Sequence, residues 1–307
     1  MKITGDVNYN KDLDKFQKFK LHSPLSTCLR ITNRCNFSCP HCIANGSNNK
    51  NIDLSHSNIK KILKKLSSAG VIRVDITGGE PFLRKDLNDI LLFAHQCNLA
   101  TVVTTNGSIM TEDNIKALKE SKTFVNVSID GPEKINNLLR HPNSFIQACN
   151  TVKLLHKNKI PVRINCTLQK RNYQYIEYMY NFSKELGACS LYFIVVSAQG
   201  RAEYIKDKIC LSQSQEKGLR EKVSELKKAN DLDLKILDYK YFESACPLIE
   251  EAGNFVSQKF DQNKTKVVGN ILKEDISELW CKDDSFNHIL HILFYFQYFH
   301  DENAIDK

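Results

Sequence analysis

The stretch LSHSNIKKILKKLSSAGVIRVDIT, residues 54–77, has the pattern of an amphipathic helix that leads into a strand. Four apolar residues in its first part fall at i, i+3, i+4 and i+7, on one face of a helix: Ile59, Ile62, Leu63 and Leu66. Its last part, VIRVDIT (71–77), is rich in β-branched residues, which favour strands. A helix followed by a strand in this way is the repeating unit of parallel α/β sheets.

The same alternation extends over the first two thirds of the chain. The predicted strands are CLRIT (28–32), VIRVDIT (71–77), ATVVTT (100–105), FVNVSI (124–129), PVRINCTL (161–168) and SLYFIVV (190–196). The predicted helices between them cover 54–68, 86–97, 111–120, 143–157 and 173–186. Six such units are too few for a closed eight-fold barrel. We therefore predict an α/β fold with an open, partial (β/α)6 TIM-like barrel, whose chemistry lies at the C-terminal ends of the strands.

The alternation is expected to stop after Arg201. A charged helix is predicted over 212–229, followed by the short strand-like LKIL at 234–237. We therefore predict three parts. These are an N-terminal lead-in (1–27), the core barrel (28–205) and a small α+β appendage with a capping helix (206–307).

The composition narrows the possible functions. Lysine and arginine number 43 against 35 aspartate and glutamate, a formal charge of +8, but many of the lysines belong to predicted solvated helix faces. A nucleic-acid partner is therefore not favoured. The chain lacks the apolar run of about 20 residues that a bilayer requires, and its N-terminus lacks the apolar core of a secretory signal. We predict a cytoplasmic protein with no membrane partner, in which eleven cysteines point to metal binding or catalysis rather than disulfides.

Three of the cysteines form a compact group directly after the first predicted strand. Cys35, Cys39 and Cys42 have the spacing C-x3-C-x2-C, and no fourth cysteine shares their loop. Three thiolates can hold a [4Fe–4S] cube and leave one iron open for an external ligand. The alternative is zinc, which usually takes four ligands. His41 could supply the fourth, but it adjoins Cys42, and the chain could hardly direct both side chains to one ion.

Further motifs follow the later strands in order. Gly78-Gly79-Glu80-Pro81 follows the second strand, Thr105-Asn106-Gly107 the third, Ser128-Ile129-Asp130-Gly131-Pro132 ends the fourth, and Gln199-Gly200-Arg201-Ala202 follows the sixth. Together with the cysteine spacing, these elements resemble the radical S-adenosylmethionine (SAM) superfamily over residues 28–202. In detail they are similar to its SPASM-type branch, which matures peptides and other natural products.

The resemblance implies one [4Fe–4S] cluster on Cys35, Cys39 and Cys42, with SAM bound at its open iron. An external one-electron donor of the flavodoxin or ferredoxin type would reduce the cluster. SAM would then be cleaved to a 5′-deoxyadenosyl radical that takes a hydrogen from the substrate. The implied SAM-binding positions are His41, Gly78, Gly79, Glu80, Pro81, Thr105, Asn106, Ser128, Asp130, Arg140 and Asn165.

Several of these positions have individual roles by resemblance. Glu80, with the backbone of the two glycines before it, would receive the SAM ammonium, and Arg140 would pair with the SAM carboxylate as a bidentate fork. The alternative for Arg140 is an ordinary surface arginine. Asp130 either contacts the ribose or shapes the turn that follows. Asn165, a polar residue in an apolar strand, needs a partner, either SAM or a structural group.

The C-terminal third resembles an eroded SPASM domain. Cys246-Pro247 and Leu279-Trp280 fit the pattern, but Gln258 stands where a cysteine is expected and only Cys246 and Cys281 remain. Two thiols are too few for a cluster, so we expect no auxiliary cluster. Without that electron acceptor a redox-neutral outcome is favoured, and Cys246 or Cys210 could return a hydrogen atom. The alternative is that both are inert buried cysteines.

Three hypotheses for the function follow from the sequence. The first is maturation of a peptide of the RiPP type, suggested by the SPASM-like remnant. The short N-terminus is expected to leave no space for a fused peptide-recognition domain, so a radical epimerase, dehydrogenase or rearrangement enzyme acting on a sugar, nucleoside or other small molecule is an alternative. The second hypothesis is RNA modification, which is suggested only by the positive net charge of the chain. The third hypothesis is a non-catalytic Fe–S or SAM-binding module.

Overall fold

The computed structural model describes residues 21–47, 53–237, 247–259 and 264–282. The strands are β1 (Ser26–Thr32), β2 (Arg73–Gly78), β3 (Ala100–Thr105), β4 (Phe124–Ser128), β5 (Val162–Leu168), β6 (Ser190–Val195), β7 (Asp233–Leu237), β8 (Leu248–Ile249), β9 (Asn254–Lys259) and β10 (Lys264–Asn270). In the described ranges they form one sheet in the order β10-β9-β8-β1-β2-β3-β4-β5-β6-β7, and β1 to β7 are parallel neighbours. The sheet is open, because its two edge strands are β10 and β7.

The helices lie between these strands, as the alternation predicts. They are α1 (His56–Ser68), α2 (Leu87–Gln96), α3 (Glu112–Glu120), α4 (Glu133–Leu139), α5 (Ser144–Lys157), α6 (Ile176–Glu185), α7 (Lys206–Ile209), α8 (Gln213–Lys227) and α9 (Ile276–Cys281). Side-chain caps fix several starts: Ser55 accepts the Asn58 N–H before α1, and Thr111 and Ser212 form capping boxes before α3 and α8.

The core lies between the sheet and these helices. The four α1 residues predicted to share one face are all buried, and they pack in the same cluster as alternate strand residues such as Leu29 and Ile31. The intervening residues of the strands, including Arg30, Thr32, Ser128 and Asn165, belong to the opposite face of the sheet. The functional motifs therefore lie on that face and at the C-terminal edge of β1 to β6.

The predicted fold class agrees with this arrangement, but the parallel sheet is one strand longer than expected. Helix α8 leads into β7, which pairs in parallel with β6, so the alternation continues past Arg201. The sequence pattern did not indicate this because α8 buries only Leu219 and Val223 on a strongly charged helix. The boundary at residue 205 stays a prediction. The short helix α4 was also not predicted.

The C-terminal strands extend the same sheet on the other side of β1. Strand β8 pairs in parallel with β1 over two residues and antiparallel with β9, which forms a hairpin with β10. Helix α9 packs its Trp280 side chain into the main core, and the Trp280 indole N–H donates to the Leu21 carbonyl. No helix in the described ranges combines the length and apolar character needed to cross a membrane.

Candidate active site

The cysteine loop begins immediately after β1, at the C-terminal edge of the sheet. Its two ends are joined by backbone hydrogen bonds: the Cys35 N–H donates to Ser47 O (3.0 Å) and the Ser47 N–H donates to Asn33 O (3.1 Å). Inside the loop, the Cys42 N–H donates to Cys39 O (3.2 Å). These hydrogen bonds close the loop at its two ends, and the three cysteines lie within the closed loop.

The three thiols are free and partly exposed, and they influence one another electrostatically. Burial raises the pKa of Cys39 to about 11; the charges of Cys42 and Cys35 also raise it, whereas Arg140 lowers it. Burial also raises the pKa of Cys35. Among the described residues, no three His, Cys, Asp or Glu side chains converge on a single metal ion. A cube binds each cysteine at a different iron, so its ligands need not converge on one point.

Gly78 and Gly79 lie directly against the base of the cysteine loop. A Cβ atom on Gly78 would lie 2.5 Å from Thr32 O, and one on Gly79 would lie 2.2 Å from Arg34 O. The Gly79 N–H donates to Thr32 O (2.9 Å) and the Glu80 N–H to Arg34 O (2.8 Å). The two glycines therefore allow the end of β2 to approach the backbone that carries Cys35.

Glu80 is fully buried and connects the ends of β2 and β3. Its carboxylate accepts hydrogen bonds from the Thr105 hydroxyl (2.8 Å), the Asn106 N–H (2.7 Å) and the Phe82 N–H (3.1 Å). Burial raises its pKa to about 7, although these three donors oppose the rise. Pro81 starts the 3-10 helix that follows. Contact of Glu80 with the SAM ammonium stays a prediction.

Asn106 extends this network to the cysteine loop. Its side-chain amide donates to Asn36 Oδ1 (2.9 Å), and Asn36 in turn donates to the Ser108 hydroxyl (2.8 Å). Asn36 lies between the first two cysteines and was not among the predicted site residues. Its only signal in the sequence is its place inside the motif.

Asp130 and Arg140 form a buried ion pair beneath the loop. Arg140 Nε lies 2.6 Å from Asp130 Oδ2 and Arg140 Nη2 donates to Oδ1 (2.9 Å), so Arg140 is not a surface arginine. Asp130 also accepts the Thr167 N–H (2.8 Å). These bonds join the ends of β4 and β5. The structure therefore gives Asp130 a protein partner, and a ribose contact stays a prediction.

His41 packs its side chain onto this ion pair. Its Nε2 atom lies 3.4 Å from Asp130 Oδ2 and its Nδ1 atom lies 3.3 Å from Gln169 Nε2. Burial lowers the pKa of His41 to about 4, so the ring is neutral at pH 7. The Asn172 side-chain amide donates to Asp130 O (2.7 Å) and extends this network. Gln169 and Asn172 were not among the predicted site residues. Neither belongs to a motif that would have marked it.

Ser128 and Asn165 lie side by side on adjacent strands near the same edge. Ser128 is partly exposed, whereas the Asn165 Oδ1 atom is buried and accepts no hydrogen bond from any residue that the structure describes. A buried acceptor without a donor costs free energy that a bound polar ligand could recover. Asn165 therefore fits a ligand contact.

Of the two candidate hydrogen donors, Cys210 lies within the described residues. Cys210 caps α7 and packs beside the small apolar cluster of Val196, Ala202 and Ile209. Cys246 lies outside the described residues. A role for either thiol stays a prediction.

The comparisons agree with this geometry. The model of the radical SAM superfamily matches residues 29–183, and the chain belongs to that family. This confirms the resemblance inferred from the cysteine spacing and the motifs after the strands. Membership implies SAM and a [4Fe–4S] cluster, and the residues present fit both: three thiols on one loop can hold the cluster, and the buried Asn165 Oδ1 atom is an acceptor that a bound ligand can satisfy.

Individual relatives point to the peptide-maturing branch and beyond it. AlbA, the antilisterial bacteriocin subtilosin biosynthesis protein of Bacillus subtilis (strain 168), is 31% identical over 186 residues, covering 59% of this chain and 42% of AlbA. The AdoMet-dependent heme synthase of Methanosarcina barkeri (strain Fusaro / DSM 804) is 28% identical over 187 residues, covering 58% of this chain and 53% of the synthase. The chain spans about half the length of these curated relatives.

Among solved structures, Streptococcus suis SuiB bound to its precursor peptide SuiA has the same fold. The TM-score is 0.75 at 18% identity, covering 92% of this chain and 70% of SuiB. At this identity the likeness concerns the fold alone. It confirms the predicted α/β class and extends the similarity beyond the family match to the C-terminal strands.

Proposed function

We propose that the chain is a radical SAM enzyme that modifies a peptide during maturation of a natural product. When bound, the cluster and SAM supply a 5′-deoxyadenosyl radical that abstracts hydrogen from the substrate. The observation that carries the proposal is the closed cysteine loop at the C-terminal edge of the parallel sheet, held there by the residues of the motifs that follow β2, β3 and β6. We further propose that the protein acts in the cytoplasm, where an external one-electron donor of the flavodoxin or ferredoxin type reduces the cluster.

The chain's own residues would bind and orient these groups. Cys35, Cys39 and Cys42 would ligate the cluster after loss of their protons, which binding to iron releases. Ser128 and Asn165 would contact SAM from β4 and β5, and Glu80 and Arg140 would hold the surrounding loops in register through their partners Thr105, Asn106 and Asp130.

A peptide substrate is supported by the relatives. AlbA takes part in the biosynthesis of a bacteriocin, and SuiB has been solved with its precursor peptide. The heme synthase of M. barkeri favours a second candidate, a radical reaction on a small molecule. We further propose that no auxiliary cluster is present and that the reaction is redox-neutral, because the SPASM-like stretch from residue 246 onward retains only Cys246 and Cys281.

The test is anaerobic reconstitution with iron counting, followed by measurement of 5′-deoxyadenosine released from SAM. We expect about four irons per chain, the content of one cube, and slow SAM cleavage under a strong reductant. The Cys39→Ala variant should lose both. The control is Cys189→Ala, because Cys189 is also a free, exposed thiol but precedes β6 at the opposite edge of the sheet.

The outcomes separate the alternatives. Iron for two clusters would overturn the single-cluster proposal, and a loaded protein that leaves SAM intact would favour a non-catalytic binding module. Mass spectrometry of molecules that co-purify anaerobically with the Cys39→Ala variant tests the substrate class. A short peptide supports the first candidate, and a tetrapyrrole or other small molecule supports the second.

A further inference from the structure

The loop that follows β6 contacts the cysteine loop through Arg201. The Arg201 N–H donates to Cys42 O (3.0 Å), and its side chain donates from Nε to Cys39 O (2.8 Å) and from Nη1 to Gly46 O (2.8 Å). One residue thus binds three carbonyls that lie along the second half of the cysteine loop. Two of them belong to predicted cluster ligands.

The residue before it makes this approach possible. Gly200 has φ of +58°, and a Cβ atom there would lie 2.4 Å from Cys42 O and 2.6 Å from Ile43 O. A side chain would therefore be strained and would also collide with the cysteine-loop backbone. Ala202, on the other side of Arg201, is fully buried beside Val196 and Ile209, which fixes the loop to the end of β6.

The halves of the cysteine loop are consequently held by different strands. The base near Cys35 is fixed by its backbone bonds and by Gly79 after β2, whereas the carbonyls of Cys39 and Gly46 are bound by the Arg201 guanidinium. Hydrogen bonds from a charged donor are stronger than neutral ones. The guanidinium also places a permanent positive charge beside the backbone of two ligands.

We propose that Arg201 is a positioning residue for the cluster. It holds Cys39 and Cys42 at a fixed separation from Cys35, and its charge favours the reduced state of the cluster. Cluster potentials depend on local charge and hydrogen bonding, so removal of this charge should lower the midpoint potential. This inference rests on the proposed function, because it assumes that the three thiols bind a cluster.

The first test uses the metal-free chain and does not depend on activity. Iodoacetamide labelling followed by peptide mass mapping gives a separate alkylation rate for each cysteine. In Arg201→Gln we expect Cys39 and Cys42 to react about tenfold faster, equivalent to about 1.4 kcal/mol of lost loop stability. Cys35 should not react faster, because the Arg201 charge lowers the pKa of that thiol and its loss opposes alkylation there. The control is Arg171→Gln, because Arg171 is exposed and lies after β5 outside the cysteine-loop contacts. Circular dichroism checks that both variants are folded.

The second test separates charge from geometry in the reconstituted protein. Arg201→Gln should retain less iron against a chelator and should have a lower midpoint potential than the wild type. Arg201→Lys keeps the charge but not the fork, so it should restore most of the potential and only part of the iron retention. If Arg201→Gln refolds poorly, Arg201→Lys tests the positioning through iron retention and Arg201→Met, a neutral side chain of similar length, tests the charge through the potential.

The outcomes distinguish this inference from the proposed function. Equal alkylation rates and equal potentials in the wild type and Arg201→Gln would overturn the role of Arg201. A wild-type chain that takes up no iron would overturn the proposed function. In that case the role of Arg201 toward the cluster would also be overturned. Faster alkylation in Arg201→Gln would still show that Arg201 stabilises the cysteine loop.

Discussion

The two edges of the parallel sheet are stabilised in different ways. At the N-terminal edge, polar residues find partners close by: Arg73 donates to Asp75 within β2 (2.6 Å), and the Thr123 hydroxyl bonds to those of Ser121 (2.7 Å) and Thr101 (2.6 Å). At the C-terminal edge, residues from β2, β3 and β6 converge on one loop between 33 and 47. Contacts at the first edge stabilise the sheet, whereas contacts at the second also place the cysteines.

This difference predicts distinct consequences for substitutions at the two edges. A change at the N-terminal edge should lower stability without altering the three thiols. A change at the C-terminal edge should lower stability and also alter cysteine reactivity or cluster retention.

Gly79→Ala should have the largest effect of any single methyl addition at the C-terminal edge. The new Cβ would lie 2.2 Å from Arg34 O. Because the contacted atom is a backbone oxygen, it cannot move aside as the end of a flexible side chain could. The end of β2 would have to separate from the base of the cysteine loop, so we expect a loss of more than about 3 kcal/mol in the free energy of unfolding. Urea unfolding measures the loss. An unchanged midpoint would contradict the described packing.

Asp130→Asn should cost about 3–5 kcal/mol, because it leaves the buried Arg140 charge without its partner. The matched variant at the other edge is Asp75→Asn, which breaks the Arg73 pair; this should cost less because Asp75 is partly exposed. Both variants should be destabilised in urea. Only Asp130→Asn should change the alkylation rate of Cys39, whose pKa depends on Arg140 and Asp130. Equal effects of both variants on Cys39 would remove the distinction between the edges.

Glu80→Gln should cost about 1–3 kcal/mol, because either orientation of the amide places its NH2 group against the N–H of Asn106 or Phe82. The cost should also depend on pH. Burial raises the pKa of Glu80 from 4.5 to about 7, so the folded state binds a proton that the unfolded state has lost. The stability of the wild type therefore falls as pH rises from about 4.5 to 7. The variant lacks this titration, and its deficit should shrink over the same interval.

A control for this prediction is Glu185→Gln on the exposed surface of α6, where both stability and its pH dependence should match the wild type. Urea unfolding at several pH values measures all three proteins. A deficit for Glu80→Gln that stays constant across this range would mean that the Glu80 carboxyl is already ionised at the low end.

The comparison also explains what could be predicted from the sequence. Periodicity located β1 to β6 within two residues at each end, because each strand carries a local apolar pattern. The cysteine spacing and the order of motifs identified the family. The LKIL strand at 234–237 was predicted, but not its parallel pairing with β6, because it follows a helix with only two buried apolar positions. Local patterns cannot show that such a strand adds to the edge of an existing sheet.

The reasons for individual motif residues were harder to infer. The glycines at 78 and 79 were expected to let the backbone approach SAM, which stays a prediction, and the structure shows in addition that the cysteine-loop backbone lies against them. Arg201 was identified as part of the motif after the sixth strand, but no function was assigned to it. Its partners Cys39 and Gly46 lie more than 150 residues earlier in the chain, so a local pattern could not connect them. The sequence predicts that such residues belong to one site, whereas the contacts between them depend on the fold.

The smallest expected effect comes from a glycine that touches neither edge. Gly218 is exposed in α8, and a Cβ atom there would meet nothing within 4 Å. Glycine in a helix interior is less favourable than alanine by roughly 0.5–1 kcal/mol, so Gly218→Ala should stabilise the chain by about that amount. The same substitution that disrupts position 79 should therefore raise the urea midpoint here and leave cysteine alkylation unchanged. A loss of stability would show that this face of α8 is packed against something, and the contrast between the two glycines would then need another cause.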